Sequence, residues 1–307
     1  MTGSQTTCGV RKMVYLLELN VKGGITTGTT RRIMNYYLLS KYYIPATTLS
    51  GAIMNAVLKK EGKMRQVYTS PALPIVNNKP IVFSHYFSPS VSRKAKDYVE
   101  IKGGLRRTDA NSLRERFPEL KHKIGELIVF DKEDGALNYY KQYEPETEVE
   151  MEVAIDRTLG SARKGLLYAY EVLIVDKMWA LSSEGFEGEI SLGRGKNRYY
   201  PTVEVRVKKE VELREVKEGD VVYCLTPCVP TLFGKKFIEF DEVWGEYSLY
   251  TGWFTTDNIA GQKPVFRVLR EGSLIKVKKV LDDRLLNAGL NLLLPIEDLG
   301  EIVRWFK

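Results

Sequence analysis

A strict alternation of acidic and apolar residues in Glu148–Asp156 limits the choice of secondary structure more than any other segment of the chain. In this stretch, EVEMEVAID, the residues Glu148, Glu150 and Glu152 point to one side of an extended backbone. The apolar residues point to the other side: Val149, Met151, Val153 and Ile155. Because successive side chains of a strand point to opposite faces, the period of two predicts a β-strand with one solvated face and one face against a core.

Apolar segments rich in β-forming residues recur along the chain, whereas helical patterns are few. Met13–Val21 predicts the first strand, and a glycine- and threonine-rich loop over Gly23–Thr30 is expected to follow it. Later strands are predicted at Leu166–Val175, Val203–Val207, Val221–Leu225, Phe237–Phe240, Phe266–Leu269 and Ser273–Val280. Thr158–Gly165, with two glycines, is expected to form a hairpin-like loop between two of the strands. These segments predict an α+β fold with antiparallel sheets.

Two helices are expected. The first follows Pro45, and either Thr47 or Thr48 is expected to cap its N-terminus. Four apolar residues of this segment share one helical face: Leu49, Ile53, Ala56 and Val57. The second, a short helix, is predicted within Ile296–Lys307.

Length and composition indicate a folded protein of two domains. The chain has 307 residues, a net charge of +7, and 44% hydrophobic residues. We predict one domain over residues 1–205, with a basic insertion around 88–125, and a second over residues 206–307. The N-terminus does not resemble a secretory signal, and no apolar run approaches the roughly 18 residues that span a bilayer. We therefore expect a cytoplasmic protein without membrane contact.

The cysteines indicate neither a disulfide framework nor a metal site. The chain has three of them, Cys8, Cys224 and Cys228, and only two histidines. An odd number fits a reducing cytoplasm, and Cys224 and Cys228 lack the second Cys or His pair of a structural zinc site. We expect small core residues here, and no metal or cofactor is predicted.

The positive charge is concentrated in a few segments. Ser92–Lys123 contains ten lysines and arginines, Arg106 and Arg107 among them, against five acids. Asn20–Tyr43 contains no acid at all and combines cations with tyrosines: Lys22, Arg31, Arg32 and Lys41 with Tyr36, Tyr37, Tyr42 and Tyr43. Cations interleaved with aromatic rings suit single-stranded RNA. The alternative is that the tyrosines line the edge of a core and the cations face solvent.

The loop Gly193–Arg198 is the sharpest single feature. Its glycines let backbone amides approach a phosphate closely, and Arg194, Lys196 and Arg198 supply charge, with Tyr199 and Tyr200 available for base stacking. The alternative is a solvated basic turn. A dinucleotide fingerprint is excluded, because a strand rather than a helix follows and Arg198 stands where the third glycine would be.

The sequence offers few candidate side chains for general acid–base catalysis. His85 lies in an apolar stretch, which favours a packed histidine, and His122 stands between two lysines. The paired carboxylates Glu133-Asp134 and Asp282-Asp283 lie near turns or charged surface, and no serine sits in a nucleophile elbow. Nothing in these residues indicates a catalytic centre.

Four motifs in order resemble the RAMP superfamily, the RNA-binding subunits of CRISPR effector complexes. Ile44–Ala52 (IPATTLSGA) is similar to the family's strand-to-helix motif "IPGSSLKGALR". Ile155–Ala162 (IDRTLGSA), with GLLY and EV after it, resembles the type III motif "IDRxTGxAxxGxLYxxEV". Gly185–Ile190 and Leu192–Gly195 resemble the later "F-x-G" and glycine-rich elements. The first motif departs from the family in reading Pro-Ala-Thr for Pro-Gly-Ser, and the last ends Arg-Tyr-Tyr-Pro for Arg-Gly-Tyr-Gly.

The C-terminal third resembles the larger type III subunits. Gly252-Trp253, Lys263-Pro264 and Arg270–Leu274 are similar to the arrangement "GW…P…AGSV" of the two-domain subunits that hold the 5′ tag of the guide RNA beside the large polymerase-like subunit. The resemblance implies two modified ferredoxin-like (RRM-like) domains with inserted basic loops. Target-cleaving backbone subunits carry an aspartate in the loop after the first strand, and the acid-free loop here implies no slicing activity.

The resemblance and the charge pattern together imply a non-catalytic RNA-binding subunit, and nominate its RNA-binding residues. Its implied partners are the guide RNA, target RNA, other RAMP subunits and the large polymerase-like subunit. The nominated residues are Lys22, Arg31, Arg32, Thr47, Thr48, Ser50, Arg106, Arg107, Arg163, Lys164, Gly193, Arg194, Gly195, Lys196, Arg198 and Tyr199.

Two alternatives stay open at this point. One is a RAMP endoribonuclease that processes precursor guide RNA or cuts target RNA, although processing relatives carry the glycine-rich loop near the C-terminus rather than at 193–198. The other is a basic α+β protein that binds a protein or an anionic ligand and no RNA.

Overall fold

The computed structural model describes residues 12–33, 37–86, 124–134, 137–156, 158, 160–192, 202–255, 260–296 and 298–307. The strands are β1 (Lys12–Lys22), β2 (Gly28–Ile33), β3 (Tyr37–Ser40), β4 (Leu73–Val76), β5 (Lys79–Phe83), β6 (Leu127–Asp134), β7 (Leu137–Gln142), β8 (Glu146–Asp156), β9 (Ser161–Ile174), β10 (Lys177–Ser182), β11 (Gly188–Ser191), β12 (Thr202–Leu213), β13 (Val221–Cys224), β14 (Thr231–Leu232), β15 (Lys235–Lys236), β16 (Ile238–Trp244), β17 (Tyr247–Tyr250), β18 (Trp253–Thr255), β19 (Ala260–Gln262), β20 (Phe266–Leu269), β21 (Leu274–Val280) and β22 (Leu293–Leu294). The helices are α1 (Ala46–Glu61), a 3-10 helix (Arg284–Ala288) and α2 (Gly300–Arg304).

Three larger sheets organise these strands. An eight-stranded sheet has the order β11-β12-β1-β10-β4-β5-β6-β7, and two four-stranded sheets have the orders β16-β21-β13-β22 and β2-β3-β9-β8. Three two-stranded ribbons, β14-β15, β17-β20 and β18-β19, complete the described topology. The sheet-rich, mostly antiparallel architecture with few helices confirms the predicted α+β class. The pairing of β3 with β9 is parallel, which the prediction of antiparallel sheets missed.

Strand β1 is buried on both faces because it lies between two hydrophobic clusters. Val14 and Leu16 point into the first cluster, and Leu17, Leu19 and Val21 point into the second. The second cluster receives the apolar face of α1, in which Leu49, Ile53 and Val57 are buried as predicted.

The first hydrophobic cluster joins the two ends of the chain. It contains Trp179 and Phe83 together with Tyr223, Leu274 and Ile302. The Tyr223 hydroxyl donates a hydrogen bond to the carbonyl oxygen of Phe83 over 2.8 Å. The predicted domain boundary after residue 205 falls inside β12, and this cluster has members on both sides of it. The division into two domains stays a prediction.

Three local predictions are wrong. The loop expected over Gly23–Thr30 is shorter, because β2 begins at Gly28 and pairs with β3. The loop expected over Thr158–Gly165 is also shorter, because β9 begins at Ser161 and places Arg163 and Lys164 within the strand. The N-cap of α1 is Pro45 without a side-chain hydrogen bond, since the two threonines already lie in the first turn.

The predicted strand around Glu148–Asp156 is confirmed as β8, but its apolar face is not covered. Four side chains are exposed there, Val149 by 53%, Met151 by 68%, Val153 by 43% and Ile155 by 63%. The alternation correctly predicted the strand. Whether its apolar face is buried depends on a layer packed against it, and β8 is the last strand of its sheet, where that layer ends.

Candidate nucleic-acid interface

Four of the nominated cations lie on one sheet. Arg31 and Arg32 belong to β2, and Arg163 and Lys164 belong to β9. Along this sheet Arg32 pairs with Leu38 of β3, and Leu38 pairs with Tyr170 of β9. Since Tyr170 is six residues beyond Lys164, the two pairs of cations are about 20 Å apart along the strand direction. The sheet thus carries two separate basic positions, far enough apart to contact different phosphates of one extended strand.

The first turn of α1 meets the C-terminal part of the chain. Thr48 is exposed, whereas Thr47 is half-buried and its side chain is hydrogen-bonded to Tyr250. Burial raises the pKa of the Tyr250 phenol, and the Thr47 hydrogen bond opposes that shift. Of the two threonines, Thr48 is therefore the one placed to contact an external ligand.

Ser50 has a structural role. It is 2% exposed, its hydroxyl lies 3.0 Å from the Thr69 hydroxyl, and it accepts a hydrogen bond from the Thr69 backbone amide over 3.1 Å. The Thr69 hydroxyl in turn donates to the carbonyl oxygen of Ala46 over 3.1 Å. These bonds fasten the start of α1 to the segment before β4, so we leave Ser50 out of the proposed RNA surface.

Lys22 lies at the end of β1 in an exposed ion pair. Its Nζ is 3.7 Å from Glu189 Oε1 of β11, and both side chains are largely exposed. An exposed pair of this kind contributes only about 0–1 kcal/mol to stability, so a phosphate could replace the carboxylate at small cost.

The acid-free stretch Asn20–Tyr43 acquires carboxylates from elsewhere in the fold. Glu171 is buried, and its Oε2 accepts a hydrogen bond from the Ser40 amide over 2.9 Å. Glu271 Oε1 accepts a hydrogen bond from the Tyr43 hydroxyl over 2.8 Å. The end of this stretch is thus less electropositive than its sequence implies.

Tyr43 belongs to the core edge, which was one of the two interpretations of its sequence. Its ring meets Phe83 edge to face at 5.1 Å between centroids. Lys41 Nζ donates to the Tyr43 hydroxyl over 3.1 Å and lies 5.0 Å from the ring centroid. Burial, followed by the charge of Glu271, raises the pKa of the phenol well above its usual value. Sequence reasoning missed this Lys41–Tyr43–Glu271 network, because nothing local to Tyr43 signals a partner 228 residues away.

The remaining nominated residues lie outside the described residues. They are Arg106, Arg107, Gly193, Arg194, Gly195, Lys196, Arg198 and Tyr199. The basic segment Ser92–Lys123, with His122, and residues Tyr36 and Cys8 lie outside them too.

His85, Cys224 and Cys228 are packing residues, whereas Asp282 is ion-paired with Lys235 and Arg284. His85 is fully buried with its ring edge-on to Tyr223, as predicted for a packed histidine. Cys224 and Cys228 are both fully buried, which confirms them as core residues. Within the described ranges, no three His, Cys, Asp or Glu side chains converge as metal ligands.

The helices of the described chain are short. Neither α1, with 16 residues, nor α2, with 5, is long and apolar enough to cross a membrane.

Comparison with solved structures identifies the fold. A chain of the type III-B Cmr-beta complex bound to cognate target RNA and AMPPNP aligns with a TM-score of 0.53 at 9% identity, over 85% of this chain and 86% of that one. A chain of the same complex bound to cognate target RNA gives a TM-score of 0.52 at 9% identity over the same shares. A chain of the Csm3–Csm4 subcomplex of the type III-A interference complex aligns over 93% of this chain and 98% of that one, at 14% identity and a TM-score of 0.40.

Neither a protein-family model nor a curated protein matches the sequence. The chain shares the fold of these type III-B Cmr-beta chains, which agrees with the architecture that the ordered sequence motifs predict. Because unrelated activities share folds, this likeness establishes architecture and leaves the activity to be argued from the residues.

Proposed function

We propose that this protein is a non-catalytic RNA-binding subunit of a type III CRISPR effector ribonucleoprotein, and that it holds the backbone or 5′ tag of the guide RNA in the cytoplasm. The observation that carries the proposal is the order of four RAMP-like motifs along the sequence, the last of them in a basic glycine-rich loop. The fold supports it, because it is shared over 85% of the chain with a chain from a target-RNA-bound type III-B complex.

The proposed RNA surface combines the sheet cations with the loop cations. Arg31, Arg32, Arg163 and Lys164 lie on strands of one sheet, and Thr48 is exposed at the first turn of α1. Because consecutive residues of a strand point to opposite faces, one cation of each pair belongs to this surface and the other to the opposite face. The loop residues Arg194, Lys196 and Arg198 and the insertion residues Arg106 and Arg107 complete the surface as predictions. In this arrangement the strands supply fixed phosphate contacts and the glycine-rich loop supplies close backbone contacts.

The test is a charge reversal in the glycine-rich loop. The triple variant Arg194→Glu, Lys196→Glu and Arg198→Glu should weaken guide-RNA binding, and the slope of log affinity against log salt should fall by about 2, at ~0.7 per lost phosphate contact. Binding is measured by filter retention or fluorescence anisotropy at four salt concentrations.

A matched control carries the same change in net charge at exposed lysines outside the proposed surface. The variant Lys59→Glu, Lys278→Glu and Lys279→Glu should keep a salt slope close to that of the wild type, although its affinity falls modestly through long-range repulsion. Wild-type affinity and slope in the loop variant would show that the loop does not contact the RNA.

The alternative of an endoribonuclease is decided in the same preparations. Labelled precursor RNA and target RNA are incubated with and without Mg²⁺, and we expect no specific product. Cleavage at one position would overturn the non-catalytic proposal, with metal-independent cutting indicating precursor processing and metal-dependent cutting indicating target cleavage.

A further inference from the structure

The outer edge of β8 combines an exposed apolar stripe with a row of glutamates. The stripe consists of Val149, Met151, Val153 and Ile155. The alternate positions are Glu146, Glu148, Glu150 and Glu152, and no cation occurs between Glu144 and Asp156. Among the described strands, β8 pairs with β9 alone, so its other edge carries backbone groups without a strand partner. Proteins usually blunt or cover such an edge, because it templates pairing with another chain.

Coverage of the sheet ends one strand before this edge. Met151 pairs with Ala169 of β9 and Val149 pairs with Glu171, so each pair lies on the same face. Ala169 and Glu171 are buried, whereas Met151 and Val149 are more than half exposed. The layer that covers β9 therefore stops short of β8, and the apolar stripe continues a buried surface into solvent.

The charge pattern selects the kind of partner. Five glutamates within nine residues repel phosphates, so an RNA backbone is disfavoured along this edge. A second copy of β8 is disfavoured as well. If it matches the apolar stripes, it places glutamate opposite glutamate, and if it slips by one residue, it places glutamate opposite the stripe.

We propose that the β8 edge is a protein-docking site that accepts an extended segment of another protein, in which apolar residues alternate with lysine or arginine. Added beside β8, such a strand would put its apolar residues next to Val149, Met151 and Val153 and its cations next to the glutamates. The regular register of β8 extends from Glu146 to Val153, before the irregularity between Val153 and Ile155, so about eight residues of the partner would pair. This inference goes beyond the proposed function, because it concerns a protein contact and holds whichever RNA the chain binds.

The test uses a defined probe and the full-length protein. A labelled octapeptide of alternating valine and lysine is titrated by fluorescence anisotropy, beside a control peptide with four valines followed by four lysines. We expect saturable binding of the alternating peptide and at least tenfold weaker binding of the control. The charge-reversed variant Glu148→Lys/Glu150→Lys should lose at least tenfold in affinity for the Val–Lys peptide and gain affinity for an alternating Val–Glu peptide.

A second charge-reversed variant separates a local contact from a bulk charge effect. Glu215 and Glu218 are exposed and lie outside the strands, so Glu215→Lys/Glu218→Lys makes the same change in net charge away from β8. This control should bind the Val–Lys peptide within about twofold of wild type. An equal loss in the control, equal binding of both peptides, or no saturable binding would overturn the proposal.

The same measurements distinguish two other possible ligands of the β8 edge, RNA and a second copy of this chain. The charge-neutral variant Met151→Ser/Val153→Ser should weaken peptide binding and leave guide-RNA affinity unchanged. If it instead weakens RNA binding tenfold and leaves the peptide unaffected, the stripe is an RNA surface and the proposal is wrong. A concentration-dependent wild-type dimer that Met151→Ser/Val153→Ser abolishes, measured by light scattering, would make a second copy the occupant and also overturn it. Peptide binding without RNA binding would contradict the proposed function alone.

Discussion

The hydroxyl of Tyr43 connects two stretches that are 228 residues apart in the chain. Lys41 donates to it, and it donates to Glu271, so three polar groups satisfy one another at the edge of the first hydrophobic cluster. The sequence contained the residue types for this network but no sign of their proximity. The cations near Tyr43 in the sequence suggest that its ring could stack on a base. In the structure its hydroxyl instead donates a hydrogen bond to the distant carboxylate of Glu271.

The variant Tyr43→Phe tests the contribution of this hydroxyl. Because it leaves Glu271 without a donor at a partly buried position, we expect a loss of about 1–2 kcal/mol in the free energy of unfolding. Urea denaturation followed by tryptophan fluorescence measures the loss.

The control for that measurement is Tyr15→Phe, since Tyr15 is partly buried on the second cluster and the described structure gives its hydroxyl no hydrogen bond. It should change stability by less than about 0.5 kcal/mol. Equal effects in both variants would mean that the Tyr43–Glu271 bond contributes nothing beyond the loss of a phenol oxygen.

At the scale of single elements, hydrophobic periodicity predicted where strands and helices lie, but it did not predict which of their apolar faces are buried. Phe266–Leu269 was located to the residue, and the helix after Pro45 buries the predicted face. For β8 the alternation located the strand but not its exposed stripe, because coverage depends on which strand ends the sheet. The parallel pairing of β3 with β9 joins segments more than 130 residues apart, so no local pattern could indicate it.

Gly272 is a turn residue whose lack of a side chain allows two segments to meet. Its φ is +85°, and a Cβ at this position would overlap the carbonyl oxygen of Ser84. The variant Gly272→Ala should therefore cost about 3 kcal/mol or more, from the left-handed backbone (~1–2 kcal/mol) and from the displacement of Ser84 (~1–3 kcal/mol). Thermal or urea unfolding measures this loss.

Gly219 provides the comparison, because its φ is +83° but nothing lies within 4 Å of the position that a Cβ would occupy. Gly219→Ala should cost only the backbone part, about 1–2 kcal/mol. The difference between the two variants isolates the close approach to Ser84, and a difference near zero would show that the two segments separate easily.

On the scale of the whole molecule, the sequence indicated the fold through motif order rather than through composition. The motifs from Ile44 to Gly195 predicted a RAMP-type architecture, and the comparison with type III-B chains supports it. The net charge of +7 carried little information by itself. Folding brings the carboxylates of Glu171 and Glu271 to the acid-free stretch Asn20–Tyr43, which its sequence alone does not indicate. The boundary predicted after residue 205 lies within β12, and the division of the chain into two domains stays a prediction.

Strand β13 is buried between two hydrophobic clusters, so the reactivity of the cysteine thiols in and after it reports how fast the core of the protein opens. Cys224 and Cys228 are fully buried, and burial raises the pKa of the Cys224 thiol well above its usual value, so almost no reactive thiolate is presented in the closed state. In a Cys8→Ser variant these are the two remaining thiols, and pulsed alkylation read by mass spectrometry should follow the rate at which the shared core opens. Tyr223 and Leu225 beside Cys224 belong to the cluster that also holds Phe83 and Trp179, so labelling should keep pace with global unfolding in urea. Labelling that is faster than the loss of far-UV circular dichroism, which reports on the strands of the whole chain, would reveal a C-terminal part that opens on its own.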